Sequence, residues 1–159
     1  MERLFESTGR VVSNKQVEED FWLMEVHCPE IADIIRPGQF VHVAVSKDYD
    51  PLFRRPFSVY RIAKDRESIE IFYKVVGRGT TIMTLWAKGH EFQVLGPLGN
   101  GFDIPAEAQT VAVVGRGIGI APLGALVEDY LSKGKKVYAF LSAKIVSTWR
   151  LLLCLKQQG

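Results

Sequence analysis

Cysteine and histidine are both scarce in this chain. The 159 residues contain two cysteines, Cys28 and Cys154, and three histidines, His27, His42 and His90. The cysteines do not have the spacing of a metal-ligand pair, and the histidines are scattered along the chain. The sequence therefore predicts no metal site, and it predicts that both cysteines are buried thiols.

An excess of charge of one sign is also missing. The 20 basic and 18 acidic residues give a net charge of +2, which provides no case for nucleic-acid binding. No apolar run reaches the length of a membrane span, since residues 151–155 are far too few. Residues 1–4 do not resemble the apolar region of a secretory signal. These features predict a cytoplasmic protein that binds neither nucleic acid nor membrane.

Short segments of alternating apolar and polar residues, separated by turn signals, fill the first part of the chain. This pattern is typical of antiparallel β-structure. One helix interrupts it at residues 82–87, with Thr80 or Thr81 as its expected N-cap. The pattern predicts a six-stranded antiparallel barrel, with strands at residues 10–13, 21–28, 40–45, 57–63, 69–76 and 91–95.

The pattern changes after Gly96. Residues 111–114 and 137–141 are apolar runs, as expected for parallel strands that are covered on both faces. Between them lie a glycine-rich turn and residues 121–131, where apolar side chains recur at helical spacing. This order predicts the start of a doubly wound nucleotide-binding domain. We therefore expect a barrel domain at residues 1–98 and an incomplete parallel α/β domain at residues 99–159.

Arg55, Pro56, Phe57 and Ser58 stand at the entry of a predicted strand. Pro56 cannot donate to a sheet ladder, so the strand should begin at or just after it. Arg55 can donate in a planar fork to phosphate or ring oxygens, and Ser58 can donate or accept a hydrogen bond. The segment suits a flat, electron-rich ligand, although a solvated arginine beside an ordinary edge strand would have the same sequence.

Four ordered segments resemble the motifs of the ferredoxin-NADP reductase superfamily. The residues of these segments most resemble those of its dihydroorotate dehydrogenase electron-transfer subunits, and the resemblance covers roughly residues 5–144. The segments are Arg-Pro-Phe-Ser at 55–58, Phe-Tyr-Lys-Val-Val-Gly-Arg-Gly-Thr-Thr at 72–81, Gly-Pro-Leu-Gly-Asn-Gly-Phe at 96–102, and Gly-Arg-Gly-Ile-Gly-Ile-Ala-Pro-Leu at 115–123.

The resemblance implies a flavin in the barrel and NAD(P)H at the glycine loop. In the family, hydride passes from nicotinamide to flavin, and electrons leave singly through an iron–sulfur cluster. A ring site combined with a pyrophosphate site implies FAD rather than FMN. No catalytic side chain is implied. The implied cofactor contacts are Arg55, Pro56, Phe57 and Ser58 for the ring, Phe72, Tyr73 and Lys74 for the ribityl and phosphate region, Gly79 and Thr80 for the pyrophosphate, and Gly115, Gly117 and Gly119 for the nucleotide.

Other interpretations stay open for several of these residues. Tyr73 could be a core residue, and Gly79 and Thr80 could form an ordinary turn and helix cap. Arg116 stands where family members carry a small residue, so it could contact a nucleotide phosphate or block the nicotinamide. After Lys144 the resemblance ends, and the cysteines of the family's iron–sulfur cluster are missing. We therefore expect a truncated or frame-shifted member.

The leading functional hypothesis is an FAD-bearing subunit that passes electrons between NAD(P)H and a catalytic or electron-accepting partner subunit. The alternatives are a flavin reductase, a sulfide dehydrogenase or transhydrogenase subunit, and a non-catalytic flavin-binding or assembly module. The apolar strands of an incomplete domain would leave an exposed edge, so the sequence also predicts a homodimer or higher oligomer. A helical face of Ile145, Trp149, Leu152 and Leu155 could cover part of that domain.

Overall fold

The structure, a computed structural model, describes residues 4–46 and 50–142. One sheet contains β1 (Phe5–Glu18), β2 (Phe21–His27), β3 (Phe40–Val43), β4 (Arg55–Ser58), β5 (Arg61–Ile62), β6 (Ser68–Lys74) and β7 (Glu91–Leu98), and a second contains β8 (Thr110–Arg116) and β9 (Lys136–Ser142). The helices are α1 (Pro29–Ala32), α2 (Arg78–Thr84) and α3 (Leu123–Ser132). None of these three helices has the length and apolar character that crossing a membrane requires.

The first sheet is antiparallel and curls on itself. Its strand order is β4-β3-β7-β1-β2-β6-β5, and β4 comes back towards β6, so that the rings of Phe57 and Tyr73 lie 5.9 Å apart. The antiparallel barrel is thus confirmed as a curled sheet, but the prediction of six strands is wrong. The predicted strand at residues 57–63 changes partner midway. Val59 N donates to Gln39 O, and Tyr60 N then donates to Glu70 O of β6, so the segment forms β4 and β5.

The main core lies inside this curl. Alternate residues of neighbouring strands, such as Met24, Ile71 and Val94, are fully buried, as the two-residue period of a strand requires. Cys28 is buried beside them, and burial raises the pKa of its thiol to about 12. The prediction of a buried thiol is confirmed for Cys28, whereas Cys154 lies outside the described residues.

The second sheet is parallel, with Val111 opposite Val137, as predicted. A 3-10 turn at Gly117–Ile120 follows β8, and α3 then packs on one face of the sheet through Leu126, Val127 and Tyr130. The helix begins at Leu123 rather than at residue 121. Pro122 is its N-cap, where a proline costs no helical hydrogen bond.

Among the described residues, β8 and β9 have exposed apolar surface on one face, as expected for an incomplete domain. Side chains alternate along a strand, and α3 covers one face only. On the other face Val114, Tyr138 and Phe140 are 77%, 57% and 62% exposed. The predicted helical face of Ile145, Trp149, Leu152 and Leu155 lies outside the described residues.

Asn14 of β1 ties helix α2 to the barrel. Its Nδ2 donates to Met83 O at 2.8 Å and to Trp86 O at 3.2 Å, at the end of α2. Its Oδ1 accepts a hydrogen bond from the Tyr73 hydroxyl at 3.2 Å. One amide therefore satisfies two helix-terminal carbonyls and a buried phenol, and it fixes the position of the helix relative to β6.

We expect Asn14→Ala to lower the free energy of unfolding by about 2–3 kcal/mol, because it leaves the buried Tyr73 hydroxyl and the Trp86 carbonyl without this partner. Urea denaturation of the full chain measures the change. Gln16→Ala is the matched control on the same strand, since the Gln16 side chain bonds Glu19 O in an exposed position. Equal stability of the two variants would show that Asn14 does not hold α2.

Candidate functional site

Strand β4 presents the Arg-Pro-Phe-Ser segment at an edge of the curled sheet. Its only sheet neighbour among the described strands is β3, with Arg55 opposite Val43 and Ser58 opposite Phe40. Pro56 is exposed there, as expected for a residue that has no N–H to give to a further strand. Arg55 and Phe57 share one face of β4 because strand side chains alternate, and Phe57 packs towards Tyr73 of β6.

Thr80 stabilises the turn that leads into α2. Its hydroxyl accepts hydrogen bonds from Val76 N at 3.0 Å and Gly77 N at 3.2 Å, and it donates to Gly77 O at 2.9 Å. The prediction that Thr80 or Thr81 is the N-cap is wrong. The helix begins at Arg78 after Gly77, because the Thr80 hydroxyl satisfies the N–H groups of the preceding turn.

The guanidinium of Arg55 lies directly beside the N-terminus of α2. A Cβ atom placed on Gly79 would come within 2.8 Å of Arg55 Nε, so only glycine leaves room for this approach. Arg55 Nη1 also donates to Phe53 O at 2.5 Å, which holds the side chain in place. The first N–H groups of a helix carry no intrahelical partner and form its positive end. Two positive groups therefore converge on one spot, and an anion there would relieve their repulsion.

The three β6 residues of the predicted site point to different surroundings. Tyr73 is 1% exposed, and burial raises the pKa of its phenol to about 12. Phe72 is buried on the other face of β6, where it contacts Phe21 and Tyr60 at centroid distances of 5.6 and 5.7 Å. Lys74 is half-buried at the end of the strand, with its Nζ 3.9 Å from Asp20. The structure thus brings Tyr73 to the core beside Phe57 and directs Phe72 away from it.

The glycine loop follows the carboxyl end of β8, which is the edge where parallel sheets bind ligands. A Cβ on Gly115 would lie 3.0 Å from Leu123 Cδ1, so Gly115 allows α3 to pack closely on the strand. Gly117 has φ +54°, a left-handed conformation that favours glycine. Within the described part of the chain, a Cβ on Gly119 would meet no atom within 4 Å. Arg116 is exposed in this turn.

A contact between Tyr60 and α3 brings the glycine loop against the barrel. A Cβ on Gly124 would lie 2.4 Å from Tyr60 O, so the helix backbone touches the barrel at this point. Ala121 packs into the cluster of Phe21, Tyr60 and Phe72. Neither Tyr60 nor Gly124 was among the site residues predicted from the sequence. The available signal was a glycine inside a helical pattern, which often marks close packing.

Among residues 4–46 and 50–142, no group of three or more histidine, cysteine, aspartate or glutamate side chains is arranged to hold a metal ion.

Curated proteins that are similar to this chain include electron transfer subunits. The chain is 41% identical over 129 residues to the dihydroorotate dehydrogenase B (NAD(+)) electron transfer subunit of Lysinibacillus sphaericus, covering 80% of this chain and 50% of the relative. It is 35% identical over 144 residues to that of Desulforamulus reducens, covering 91% and 54%. The chain therefore spans about half the length of these relatives. It matches no protein-family model.

Solved structures share the fold. The NADH-dependent reduced ferredoxin-NADP oxidoreductase superposes with a TM-score of 0.77 and 28% identity, covering 87% of this chain and 49% of that one. Phthalate dioxygenase reductase gives a TM-score of 0.74 at 19% identity, covering 88% and 44%, and supports the fold alone. The chain thus has the fold of the ferredoxin-NADP oxidoreductase and is similar in sequence to about half of a dihydroorotate dehydrogenase B electron transfer subunit.

Proposed function

We propose that this chain is the FAD-bearing portion of a subunit that passes electrons between NAD(P)H and a protein partner. One observation carries the proposal: the Arg55 guanidinium and the N-terminus of α2 converge at Gly79. A pyrophosphate bound there would balance both positive groups. The likeness to electron transfer subunits of dihydroorotate dehydrogenase B supports the same conclusion.

The residues present fit FAD. Gly79 leaves room for the Arg55 guanidinium beside the helix N-terminus, and Arg55, Ser58 and Lys74 offer polar groups along β4 and the end of β6. We assign the flavin ring to the edge formed by Arg55, Pro56, Phe57 and Ser58, and the pyrophosphate to Gly79 and Thr80. Tyr73 and Lys74 complete the proposed contacts, with Tyr73 acting through packing because its hydroxyl bonds Asn14. Phe72 is proposed to support the site from the opposite face of β6, where it packs on Tyr60. A bound flavin accepts a hydride and releases its electrons singly, which is chemistry that side chains do not supply.

We propose NAD(P)H as the ligand of the glycine loop, held by Gly115, Gly117 and Gly119. The corresponding division of the chain is an FAD-binding unit at residues 1–98 and a nucleotide-binding unit at residues 99–159. Strand β7 ends at Leu98, and β8 begins at Thr110, in keeping with this division. The loop joins β8 to α3 and lies close to the barrel through Ala121, which would bring the nicotinamide towards the flavin.

The partner in this proposal is a catalytic or electron-accepting subunit. Leu52 and Phe53, next to Arg55, are 61% and 75% exposed, and exposed apolar side chains beside a site favour contact with another protein. The open face of β8 and β9 supports a homodimer or higher oligomer, with Tyr138 and Phe140 in the contact. We assign the protein to the cytoplasm.

A second candidate is a flavin-binding module without NAD(P)H activity. The observation in its favour is the exposed Arg116 in the glycine loop, where a long cationic side chain would stand in the approach of the nicotinamide. The two candidates agree on FAD binding and differ in their response to NADH.

We expect the purified chain to retain FAD after reconstitution and desalting. Arg55→Ala should weaken binding about 10- to 150-fold, because a charge-assisted contact contributes about 1.5–3 kcal/mol. Titration followed by flavin fluorescence measures both. Arg54→Ala is the matched control, since the adjacent Arg54 side chain pairs with Glu6 of β1 instead. The absence of bound flavin in the unmodified chain would disprove the proposed function.

A separate test keeps the charge of Arg55 but changes its position. Gly79→Ala puts a methyl group 2.8 Å from Arg55 Nε, so the guanidinium must shift away from the helix N-terminus. We expect FAD affinity to fall by about tenfold, roughly 1.4 kcal/mol, in the same fluorescence titration. Gly77→Ala, whose Cβ would meet no described atom within 4 Å, is the control. Equal affinities for the two variants would remove Gly79 from the site.

We expect NADH to bleach the flavin absorbance of the FAD-loaded chain slowly under anaerobic conditions. Arg116→Ala should accelerate bleaching by about fivefold or more, roughly 1 kcal/mol of barrier, because it removes the side chain that obstructs the loop. Lys136→Ala, at the opposite end of the same sheet, should leave the rate unchanged. Slower bleaching in Arg116→Ala would instead give Arg116 a phosphate-binding role.

A further inference from the structure

A cluster of charged side chains lies where α3 meets the barrel. Arg61 of β5 follows Tyr60, and its Nε lies 2.9 Å from Glu128 Oε1 of α3. On the other side its Nη1 lies 3.7 Å from Glu70 Oε2 of β6. The guanidinium carbon lies 5.1 Å from the centre of the Tyr60 ring. Arg61 therefore stands between carboxylates of two elements, one in the barrel and one in the helix that follows the glycine loop.

This cluster holds more negative than positive charge. Glu25 of β2 lies opposite Glu70 in the sheet register, and Lys64 is the second cation that acts on Glu128. In residues 4–46 and 50–142, no hydrogen-bond donor satisfies the buried Glu70 Oε2. Glu70 and Glu128 thus share the Arg61 guanidinium in a half-buried junction, and removing it would increase the excess of negative charge there.

The cluster is continuous with both halves of the proposed site. The chain runs from Arg55–Ser58 through Val59 to Tyr60 and Arg61. The glycine loop runs through Ala121 into α3, which carries Gly124 and Glu128. We propose that Arg61 is a positioning residue, whose charge holds α3 and the glycine loop against β5 and β6, which follow the strand that carries the Arg-Pro-Phe-Ser segment. This inference rests on the proposed function only where it assigns a nucleotide to the loop.

Charge, rather than shape alone, gives this contact a pH dependence. Burial raises the pKa of Glu70, and Glu128 and Glu25 raise it further, while Arg61 lowers it. Burial likewise raises the pKa of Glu128, against the influence of Arg61 and Lys64. The folded junction therefore binds protons more tightly than free carboxyls do, and exposure of Glu128 on undocking would return its pKa towards the ordinary value. Docking should strengthen as the pH falls through the raised pKa values towards the ordinary 4.5, and weaken as the pH rises.

The test is hydrogen exchange of the full chain, followed in the glycine loop and α3 and, for reference, in β1 and β7. Rates are corrected for intrinsic exchange at about pH 7.5 and at about pH 4.5, the ordinary carboxyl pKa, above which the pKa values of Glu70 and Glu128 are raised. At the higher pH, Arg61→Gln should lower protection of α3 by about tenfold and that of β1 and β7 by less than about twofold. At the lower pH, α3 protection should recover, because protonated carboxyls no longer repel.

Two further variants separate charge from packing. Arg61→Gln combined with Glu128→Gln should restore α3 protection at the higher pH, since the surplus charge is gone. Asp129→Asn, on the same helix but paired with Lys133 at 2.7 Å, should change nothing at either pH. If Arg61→Gln does not fold, Glu128→Gln alone is measured, and the dependence of α3 protection on pH should fall below that of the unmodified chain.

Several outcomes would overturn the positioning role. The first is unchanged α3 protection in Arg61→Gln. The second is a loss of α3 protection that does not recover in acid or in the double variant. The third is α3 protection in Glu128→Gln that depends on pH as strongly as in the unmodified chain. FAD titrations of the same proteins keep this result apart from the proposed function. We expect Arg61→Gln to bind FAD within about twofold of the unmodified chain, because all proposed flavin contacts lie in the barrel. A chain that binds no FAD would refute the function and leave the exchange result standing.

Discussion

The amide of Asn14 is the interaction on which the candidate site depends. It joins the carbonyls at the end of α2 to the phenol of Tyr73 in β6. Because Tyr73 in turn packs against Phe57 of β4, one side chain sets the distance between a helix and the strand edge opposite it. The far end of that helix is the place where Gly79 meets Arg55. The barrel core therefore fixes the geometry of a surface site.

The electrostatics of that site are unfavourable without a ligand. A guanidinium beside a helix N-terminus places like charge against like charge, and Arg78 at the start of the same helix turns away to pair with Asp50 at 2.6 Å. Fixed positive groups of this kind are costly to the unliganded protein and useful to one that binds phosphate, because no reorganisation is then required. The carboxylates around Arg61 are likewise fixed groups of like charge, here negative, and Arg61 is the cation that balances them.

Much of this fold was predicted from local sequence patterns, and the predictions that failed did so for physical reasons. The alternation in β6 and the glycines after β8 predicted a strand and a tight turn because both depend on neighbouring residues alone. The break between β4 and β5 depends on Gln39 and Glu70, which are distant in sequence. The approach of Arg55 to Gly79 and the contact of Tyr60 with Gly124 likewise depend on how two elements meet. The cap at Gly77 was missed because the Thr80 hydroxyl had two possible uses, and only the turn before α2 decides between them.

The position of β7 in the sheet has a consequence for the order of biosynthesis. Although β7 is the last barrel strand in the chain, it lies between β3 and β1, with Phe5 opposite Gly96 and Val43 opposite Val94. The two edges that it joins cannot be bridged until residue 98 has left the ribosome. Contacts this distant in sequence are slow to form, since the loop-closure entropy must be lost first. A nascent chain that stops short of β7 would present two unpaired strand edges, so translation must proceed past the barrel before the barrel can close.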